Sequence, residues 1–104
     1  MSTYKVVFSD IDGTLLTSEH IVSTATIEAI ASLQDKNIPF VIISSRSASC
    51  IYPILEKHHF QCPIVACGGA WIEDMNGRIL SNEGMSKQTA ATVIEFMTEK
   101  KFDL

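Results

Sequence analysis

The chain has 104 residues, of which 46% are hydrophobic and 19% are charged. This composition excludes an intrinsically disordered chain, and the length predicts one globular domain with a single core. Eight Lys and Arg against twelve Asp and Glu give a formal net charge of −4. This negative net charge argues against electrostatic binding to nucleic acid or to an anionic membrane surface.

Cysteine usage and the distribution of apolar residues indicate the cellular environment. Cys50, Cys62 and Cys67 form no Cys-x-x-Cys pair, and their odd number favours reduced, buried thiols over a disulfide framework or a zinc site. No stretch approaches the roughly 18–20 apolar residues of a membrane span. Because the first residues run into a strand-like segment and not into a secretory signal, we expect a cytoplasmic protein with no membrane partner.

The first half of the sequence combines apolar runs with an amphipathic segment. Val6-Val7-Phe8 is an apolar run of strand length, and it predicts a buried strand over residues 4–9. A helix is predicted to begin at Ser23 or Thr24, with an apolar stripe made of Ile27, Ile30, Ala31 and Leu33. The continuous apolar run over residues 40–43 predicts a second strand, of the parallel kind that is covered on both faces. Together these elements form a βαβ unit.

The second half adds a helix, a strand, a hairpin and a last helix. Ser47 can begin a helix that Pro53 either kinks or restarts, and residues 63–66 form the third predicted strand. Asn76-Gly77 predicts a hairpin turn of type I′, in which both central residues need a positive φ. Ser86 can cap the final helix. The predicted fold class is α/β, a Rossmann-like parallel sheet flanked by helices and extended by a β-hairpin and a helix.

The sequence Asp-Ile-Asp-Gly-Thr-Leu at residues 10–15 follows the first predicted strand, where open α/β sheets build their sites. In an extended backbone, residues two apart point to the same side, so the carboxylates of Asp10 and Asp12 are expected to converge. Two like charges that close need a cation, and oxygen ligands suit Mg²⁺. Gly13 lets the chain turn without a Cβ clash, and Thr14 offers a hydroxyl to fix the turn.

The second predicted strand also ends in polar residues, Ser44-Ser45-Arg46. A hydroxyl here, and the amides at the start of the next helix, are suited to holding phosphate oxygens. Arg46 has two equally open interpretations, a phosphate ligand or a partner for a surface carboxylate. With a phosphate ester bound, one carboxylate of the acidic segment can attack phosphorus while the other exchanges a proton with the leaving group and then with water. The alternative is that the acidic segment is an ordinary polar turn.

These residues resemble the haloacid dehalogenase-like (HAD) superfamily of phosphohydrolases, whose first motif is similar to the Asp-x-Asp-Gly-Thr-Leu of residues 10–15. The resemblance implies that Asp10 is the nucleophile and a Mg²⁺ ligand. It implies that Asp12 is the acid/base, with a backbone carbonyl that also binds the metal, and that Ser44 binds the phosphoryl group. Ser44-Ser45-Arg46 is similar to the Thr-Gly-Arg of the Cof-like sugar-phosphatase branch. That branch commonly has Asn-Gly-Ala after the third strand, where this chain has Gly68-Gly69-Ala70.

The resemblance covers only the N-terminal part of the family. It implies a partial core over residues 1–69, followed by a hairpin and helix over residues 70–104 that resemble the start of a cap domain. The Lys and the second acidic motif with which the family completes its site have no counterpart, so we expect weak or absent turnover. We also expect an oligomer, or else a fragment of a longer product. An unpaired sheet edge or the exposed stripe of the last helix favours a homo-oligomer.

Three classes of function are candidates for this sequence. The first is a Mg²⁺-dependent phosphatase that hydrolyses a small phosphorylated metabolite through an aspartyl-phosphate. The second, a signalling receiver, needs an acceptor Asp after the third strand, where Cys67 stands instead, and is rejected. The third is a catalytically incompetent domain that acts by binding or self-association.

The other residues with reactive or titratable side chains, and the single tryptophan, have structural interpretations. His58 and His59 are expected at the C-terminal end of a helix, where a positive charge is favourable. His20 is expected in solvent, Trp71 in the core, and Cys67 as a buried small residue.

Overall fold

A computed structural model describes residues 5–101 of the chain. Within them, five strands form one mixed sheet whose order in space is the order along the chain. The strands are β1 (Val7–Ser9), β2 (Phe40–Ile43), β3 (Ile64–Ala66), β4 (Trp71–Glu73) and β5 (Ile79–Asn82). The first three strands are parallel, whereas β4 and β5 are each antiparallel to the preceding strand. The predicted fold class is confirmed, although β1 is shorter than residues 4–9, of which residue 4 lies outside the described range.

Three helices lie among the described residues, α1 (Thr24–Asp35), α2 (Ala48–Lys57) and α3 (Lys87–Glu99). The predicted caps of α1 and α3 are confirmed, because the hydroxyls of Ser23 and Ser86 accept hydrogen bonds from the N–H three residues on, at 3.2 and 3.1 Å. Helix α2 begins after Ser47 without a hydroxyl cap. Pro53 lies inside α2, which is one continuous helix of ten residues.

The core lies between the sheet and the helices α1 and α2. Because β1, β2 and β3 advance across the sheet in one direction, right-handed crossovers place both helices on the same face. The buried cluster consists of Ile11, Leu15, Leu16, Val22, Ile30, Phe40, Ile42, Ile51, Cys62, Ile64 and Ala66. Trp71 packs against this cluster, which confirms its predicted core position.

The other face of the sheet remains open in the described chain. Phe8 is 58% exposed and Ile43 is 43% exposed, although both lie in apolar strands. The prediction of strands covered on both faces is wrong for these residues. A continuous apolar run predicts burial on both faces, but the helices α1 and α2 of the described residues pack on only one of them.

The hairpin turn differs from its prediction. Of the two residues expected to have a positive φ, only Gly77 has one, at +81°. The Asp74 carboxylate accepts from the N–H groups of Asn76 and Arg78, each at 2.9 Å, and the Gly77 N–H donates to the Asp74 carbonyl. These bonds form a three-residue loop, Met75–Gly77, instead of a two-residue type I′ turn.

His58 lies at the C-terminal end of α2 as predicted, but it does not carry the expected positive charge. Its Nε2 accepts a hydrogen bond from the Val22 N–H at 3.2 Å, which requires an unprotonated nitrogen. Burial lowers the pKa of His58, and the nearby Lys57 and His59 lower it further. The ring is therefore a neutral acceptor that joins α2 to the segment before α1.

The hydrogen bond of His58 predicts a loss of stability in acid. The unfolded imidazole titrates near its ordinary value of about 6.5, and the folded one titrates below that. The unfolded state therefore binds more protons as the pH falls below about 6.5, so the free energy of unfolding should fall through the folded pKa. Urea denaturation at pH 7.5 and 5.5 measures this loss, which should be smaller in His58→Ala and unchanged in His20→Ala. Equal losses in all three proteins would contradict the assignment.

The cysteines are only partly as predicted. Cys62 is buried, and burial raises the pKa of its thiol to about 11. Cys50 and Cys67 are exposed, so the prediction of buried thiols is wrong for both. Cys67 lies in the turn that follows β3 and has a φ of +54°, outside the buried positions of the strand. Among residues 5–101 the model contains no helix with the length and apolar character needed to cross a membrane.

Candidate active site

The acidic segment forms a turn at the carboxyl end of β1. The strand ends at Ser9, and the Asp10 carboxylate accepts from the N–H of Ile11 at 2.8 Å. The turn closes where the Leu16 N–H donates to the Ile11 carbonyl at 3.1 Å. Ile11 and Leu15 are buried in the core, so they anchor the turn and leave its polar residues at the surface.

The glycine of this turn is required for its backbone conformation. Gly13 has a φ of +74°, a value that L side chains rarely adopt. A Cβ at this position would have no atom of a more distant residue within 4 Å, so the clash that glycine avoids is with the adjacent backbone, as the positive φ implies. Thr14 is exposed, and the turn is held by the main chain and by Asp10 instead of by the threonine hydroxyl.

The loop after β2 is tied to the loop after β3. Ser44 is only 5% exposed, and its Oγ accepts from the Arg46 N–H at 3.0 Å. The carbonyls of Ser44 and Arg46 accept from the N–H groups of Gly68 and Cys67, at 2.9 and 2.8 Å. Ser45 is exposed beside them. These bonds hold the Ser44 hydroxyl at a defined place at the carboxyl end of the sheet.

An ion pair joins the acidic turn to this second loop. The Arg46 guanidinium contacts both carboxylate oxygens of Asp12, with Nη2 2.5 Å from Oδ1 and Nε 3.0 Å from Oδ2. This pairing lowers the pKa of Asp12 and raises the pKa of Arg46. Of the two interpretations of Arg46, the structure therefore shows the ion pair with a carboxylate, which belongs to Asp12. The acidic turn and the loop after β2 lie next to each other, as predicted.

The turn after β3 explains how glycine replaces the asparagine expected at position 68. Gly68 has φ and ψ of 66° and 21°, which is the left-handed helical region. Glycine adopts this region freely, and asparagine adopts it more readily than most residues do. The backbone shape is therefore compatible with either residue, whereas an amide side chain is missing here.

Sequence reasoning missed a buried carboxylate at the other end of the sheet. Glu73 is 4% exposed, and it accepts hydrogen bonds from the Trp71 Nε1–H at 2.9 Å and from the Tyr52 hydroxyl. The bond to Glu73 raises the pKa of Tyr52. The alternation of side chains along a strand could have predicted the burial of Glu73. Residues 71 and 73 lie on the same face of the strand, and Trp71 is predicted in the core.

The carboxylate oxygens at the acidic turn are of the kind that binds Mg²⁺ in proteins. Proteins hold this ion through one or two carboxylates together with substrate phosphate oxygens and water. Asp10 and Asp12 are the two carboxylates of the turn, and Asp12 is engaged by Arg46. No group of three or more His, Cys, Asp or Glu that could hold a metal lies within the part of the chain that the structure describes. The carboxylates of the turn match in kind the donors of an ion that also binds substrate oxygens and water.

The turn, the serine loop and the mixed sheet have counterparts in known proteins. A family model of haloacid dehalogenase-like hydrolases matches residues 7–104. The chain belongs to this family, and its relatives indicate the Cof-like phosphatases within it.

Individual relatives agree with the family match. A putative phosphatase of Haemophilus influenzae is 45% identical over 73 residues, which are 70% of this chain and 28% of that protein. The pyridoxal phosphate phosphatase YbhA of Escherichia coli is 28% identical over 98 residues, 93% of this chain and 36% of that protein. A haloacid dehalogenase-like hydrolase of B. subtilis superposes with a TM-score of 0.87 at 28% identity, covering 93% of this chain and 34% of that one. The chain thus spans about a third of the length of these relatives.

Proposed function

We propose that this chain is a Mg²⁺-dependent phosphatase that hydrolyses a small phosphorylated metabolite through an aspartyl-phosphate. The observation that carries the proposal is the contact between Asp12 and Arg46, at 2.5 and 3.0 Å, in a member of a phosphatase family. That contact brings the acidic turn and the predicted phosphate loop to one place at the carboxyl ends of β1 and β2. Both halves of the proposed site are therefore neighbours.

The two carboxylates have different roles in this proposal. An Asp10 oxygen attacks phosphorus, and the bond between phosphorus and the leaving oxygen breaks. Once Arg46 has moved to the phosphate, Asp12 takes up a proton from solvent and gives it to that oxygen, so the product leaves as an alcohol. Asp12 then takes a proton from the water that attacks the aspartyl-phosphate, which releases inorganic phosphate and restores Asp10.

Phosphate binding is assigned to the serine loop and to the polar part of the acidic turn. The Ser44 oxygen already accepts from the Arg46 N–H, so its own proton is free to be donated to a phosphate oxygen. Arg46 would exchange the Asp12 carboxylate for the phosphate, which frees Asp12 for proton transfer. Gly13, Thr14 and Ser45 are exposed around the same place and complete the proposed contacts.

The proposed metal ligands are the carboxylate of Asp10 and, as the resemblance implies, the backbone carbonyl of Asp12. The oxygen donors at the turn support a Mg²⁺ ion, which when bound would offset the negative charge of Asp10 and of the substrate phosphate. The Lys and the further acidic residues implied by the resemblance have no counterpart in this chain. We therefore propose that the ion is held weakly and that turnover is slow.

The comparisons support a proposal for the substrate class. Two relatives are named for small phosphorylated substrates, pyridoxal phosphate in one case and a phosphoribitylamino-uracil in the other. We propose a substrate of this size, a cytoplasmic location, and a division into a partial core over residues 1–69 and a cap-like segment over residues 70–104.

A second candidate function is a binding domain without turnover. It is favoured by one observation, that the proposed acid/base Asp12 is engaged by Arg46 on both carboxylate oxygens. In this alternative the pocket binds phosphate or metal, and the domain acts through association.

Hydrolysis of an aryl phosphate by the full chain tests the proposal. With Mg²⁺ we expect slow hydrolysis above the buffer rate, and with a chelator in place of Mg²⁺ we expect the buffer rate. A rate that is the same under both conditions would contradict metal-dependent catalysis. Binding of inorganic phosphate without any hydrolysis would favour the second candidate.

A further inference from the structure

The carboxylate of Asp12 occupies the guanidinium of Arg46 at two points. Nε and Nη2 of Arg46 lie 3.0 and 2.5 Å from the carboxylate oxygens Oδ2 and Oδ1. Arginine binds two oxygens of a phosphate group through the same planar arrangement of N–H donors. Asp12 therefore holds N–H groups that a phosphate would use at the proposed site.

The main chain keeps both members of this ion pair in place. The Arg46 N–H donates to the Ser44 Oγ at 3.0 Å, and the Arg46 carbonyl accepts from an N–H of the turn after β3 at 2.8 Å. Asp12 lies in the acidic turn between Ile11 and Leu15, which are 0% and 5% exposed. When the two side chains separate, the carboxylate stays close to Arg46, so it competes with any free anion at a high effective concentration.

The ion pair is accessible to solvent, and a stronger anion can therefore open it. The side chains of Arg46 and Asp12 are 34% and 58% exposed. Exposed ion pairs are held weakly, because water solvates both charges and salt screens them. A phosphate group carries about −1.5 to −2 charges near pH 7, against one for a carboxylate, and it can also accept the proton of the Ser44 hydroxyl. A free monocarboxylate has no such advantage over the carboxylate of Asp12.

We propose that Asp12 is a built-in competitor at the phosphate site, so that Arg46 is released to a phosphate dianion and not to a monocarboxylate. This inference rests on the proposed function, in which Arg46 binds phosphate. The affinity of each free anion is reduced in proportion to the fraction of molecules in which Arg46 is unoccupied. Monocarboxylates are excluded because they must displace a tethered group of the same charge from dilute solution.

The side-chain N–H signals of arginine test the exchange directly, because the sequence contains only two arginines, Arg46 and Arg78. Arg78 is exposed between β4 and β5 and is the internal control. In the ¹⁵N-labelled full chain without Mg²⁺, the Nε–H signal of Arg46 should shift on Asp12→Asn, and also when inorganic phosphate is added at pH 7.5. Sodium acetate at the same concentration should leave it unchanged. An Arg46 signal that Asp12→Asn does not shift would overturn the proposal, as would equal shifts with acetate and phosphate.

The affinity for inorganic phosphate tests the competition. Asp12→Asn should lower the Kd about fivefold, the factor for an ion pair that is closed in about four molecules out of five. Arg46→Lys is the matched background, because lysine keeps the positive charge and lacks the planar donors that hold both carboxylate oxygens. Combined with Arg46→Lys, Asp12→Asn should lower the Kd by less than about twofold. Equal factors in the two backgrounds would mean that Asp12 only repels phosphate, which would overturn the proposal.

These measurements are independent of turnover. Inorganic phosphate is not a substrate for hydrolysis, so a chain without phosphatase activity should still show the expected shifts and Kd ratios. Hydrolysis of an aryl phosphate together with equal Kd factors would support the proposed function and overturn the competition. If neither the wild type nor Asp12→Asn bound inorganic phosphate, both would be overturned.

Discussion

Asp10→Asn is expected to reduce the hydrolysis of an aryl phosphate to the uncatalysed rate. The proposed reaction begins with attack by an Asp10 oxygen on phosphorus, and a neutral amide has neither the charge nor the nucleophilicity for that step. Asp12→Asn should also reduce the rate, by roughly 10²–10⁴-fold where general acid–base catalysis is lost. Steady-state rates at saturating Mg²⁺ measure both effects. The largest measurable decrease is the ratio of the slow wild-type rate to the uncatalysed rate.

Asp35→Asn is the control for Asp10→Asn. Asp35 is an exposed carboxylate at the end of α1, so its loss changes the net charge by the same amount without touching the acidic turn. Its rate should match that of the wild type. If Asp10→Asn retained the wild-type rate, attack by this carboxylate would be excluded.

Ile42→Ala should lower the free energy of unfolding by about 4 kcal/mol, within the range for a fully buried isoleucine. Ile42 has no exposed surface, and it lies in β2, which pairs with β1 on one side and β3 on the other. The truncation leaves a cavity between the sheet and the helices that cover it. Total stabilities of 5–15 kcal/mol are usual, so the variant is expected to be close to unfolding. Urea denaturation followed by circular dichroism measures the change.

Ile43→Ala is the same substitution one residue further along the same strand. Ile43 is 43% exposed on the open face of the sheet, so less apolar surface is lost and no closed cavity forms. We expect a loss of about 1 kcal/mol or less. Similar losses for the two variants would mean that the open face is covered in solution, and that the one-sided core described here is incomplete.

The ion pair between Asp12 and Arg46 changes how the site is understood. Arg46 supplies positive charge beside the acidic turn. It also neutralises Asp12 before any phosphate is bound. Release of Asp12 by an incoming phosphate would therefore couple binding to the availability of the acid/base.

Local signals in the sequence determined the helices and strands and the place of the acidic turn. The hydroxyls of Ser23 and Ser86 cap their helices through bonds that span one turn, so residues close in sequence were sufficient to predict them. The acidic segment after β1 was assigned to the site because parallel strands bring their carboxyl ends to one edge. Family resemblance then identified the family to which the chain belongs, which no periodicity could have done.

Only the tertiary structure decided which groups meet across the fold. The partner of Arg46 is 34 residues away in sequence, and His58 receives its hydrogen bond from Val22, 36 residues away. The covered face of the sheet depends on where the helices pack, and the turn at Gly77 depends on a carboxylate that reaches back to two N–H groups. The hydrophobic pattern and the helix caps depend on residues that are close together in the sequence. Ion pairs, acceptor bonds and exposed faces are set by the packing of distant segments, and so the sequence alone left them open.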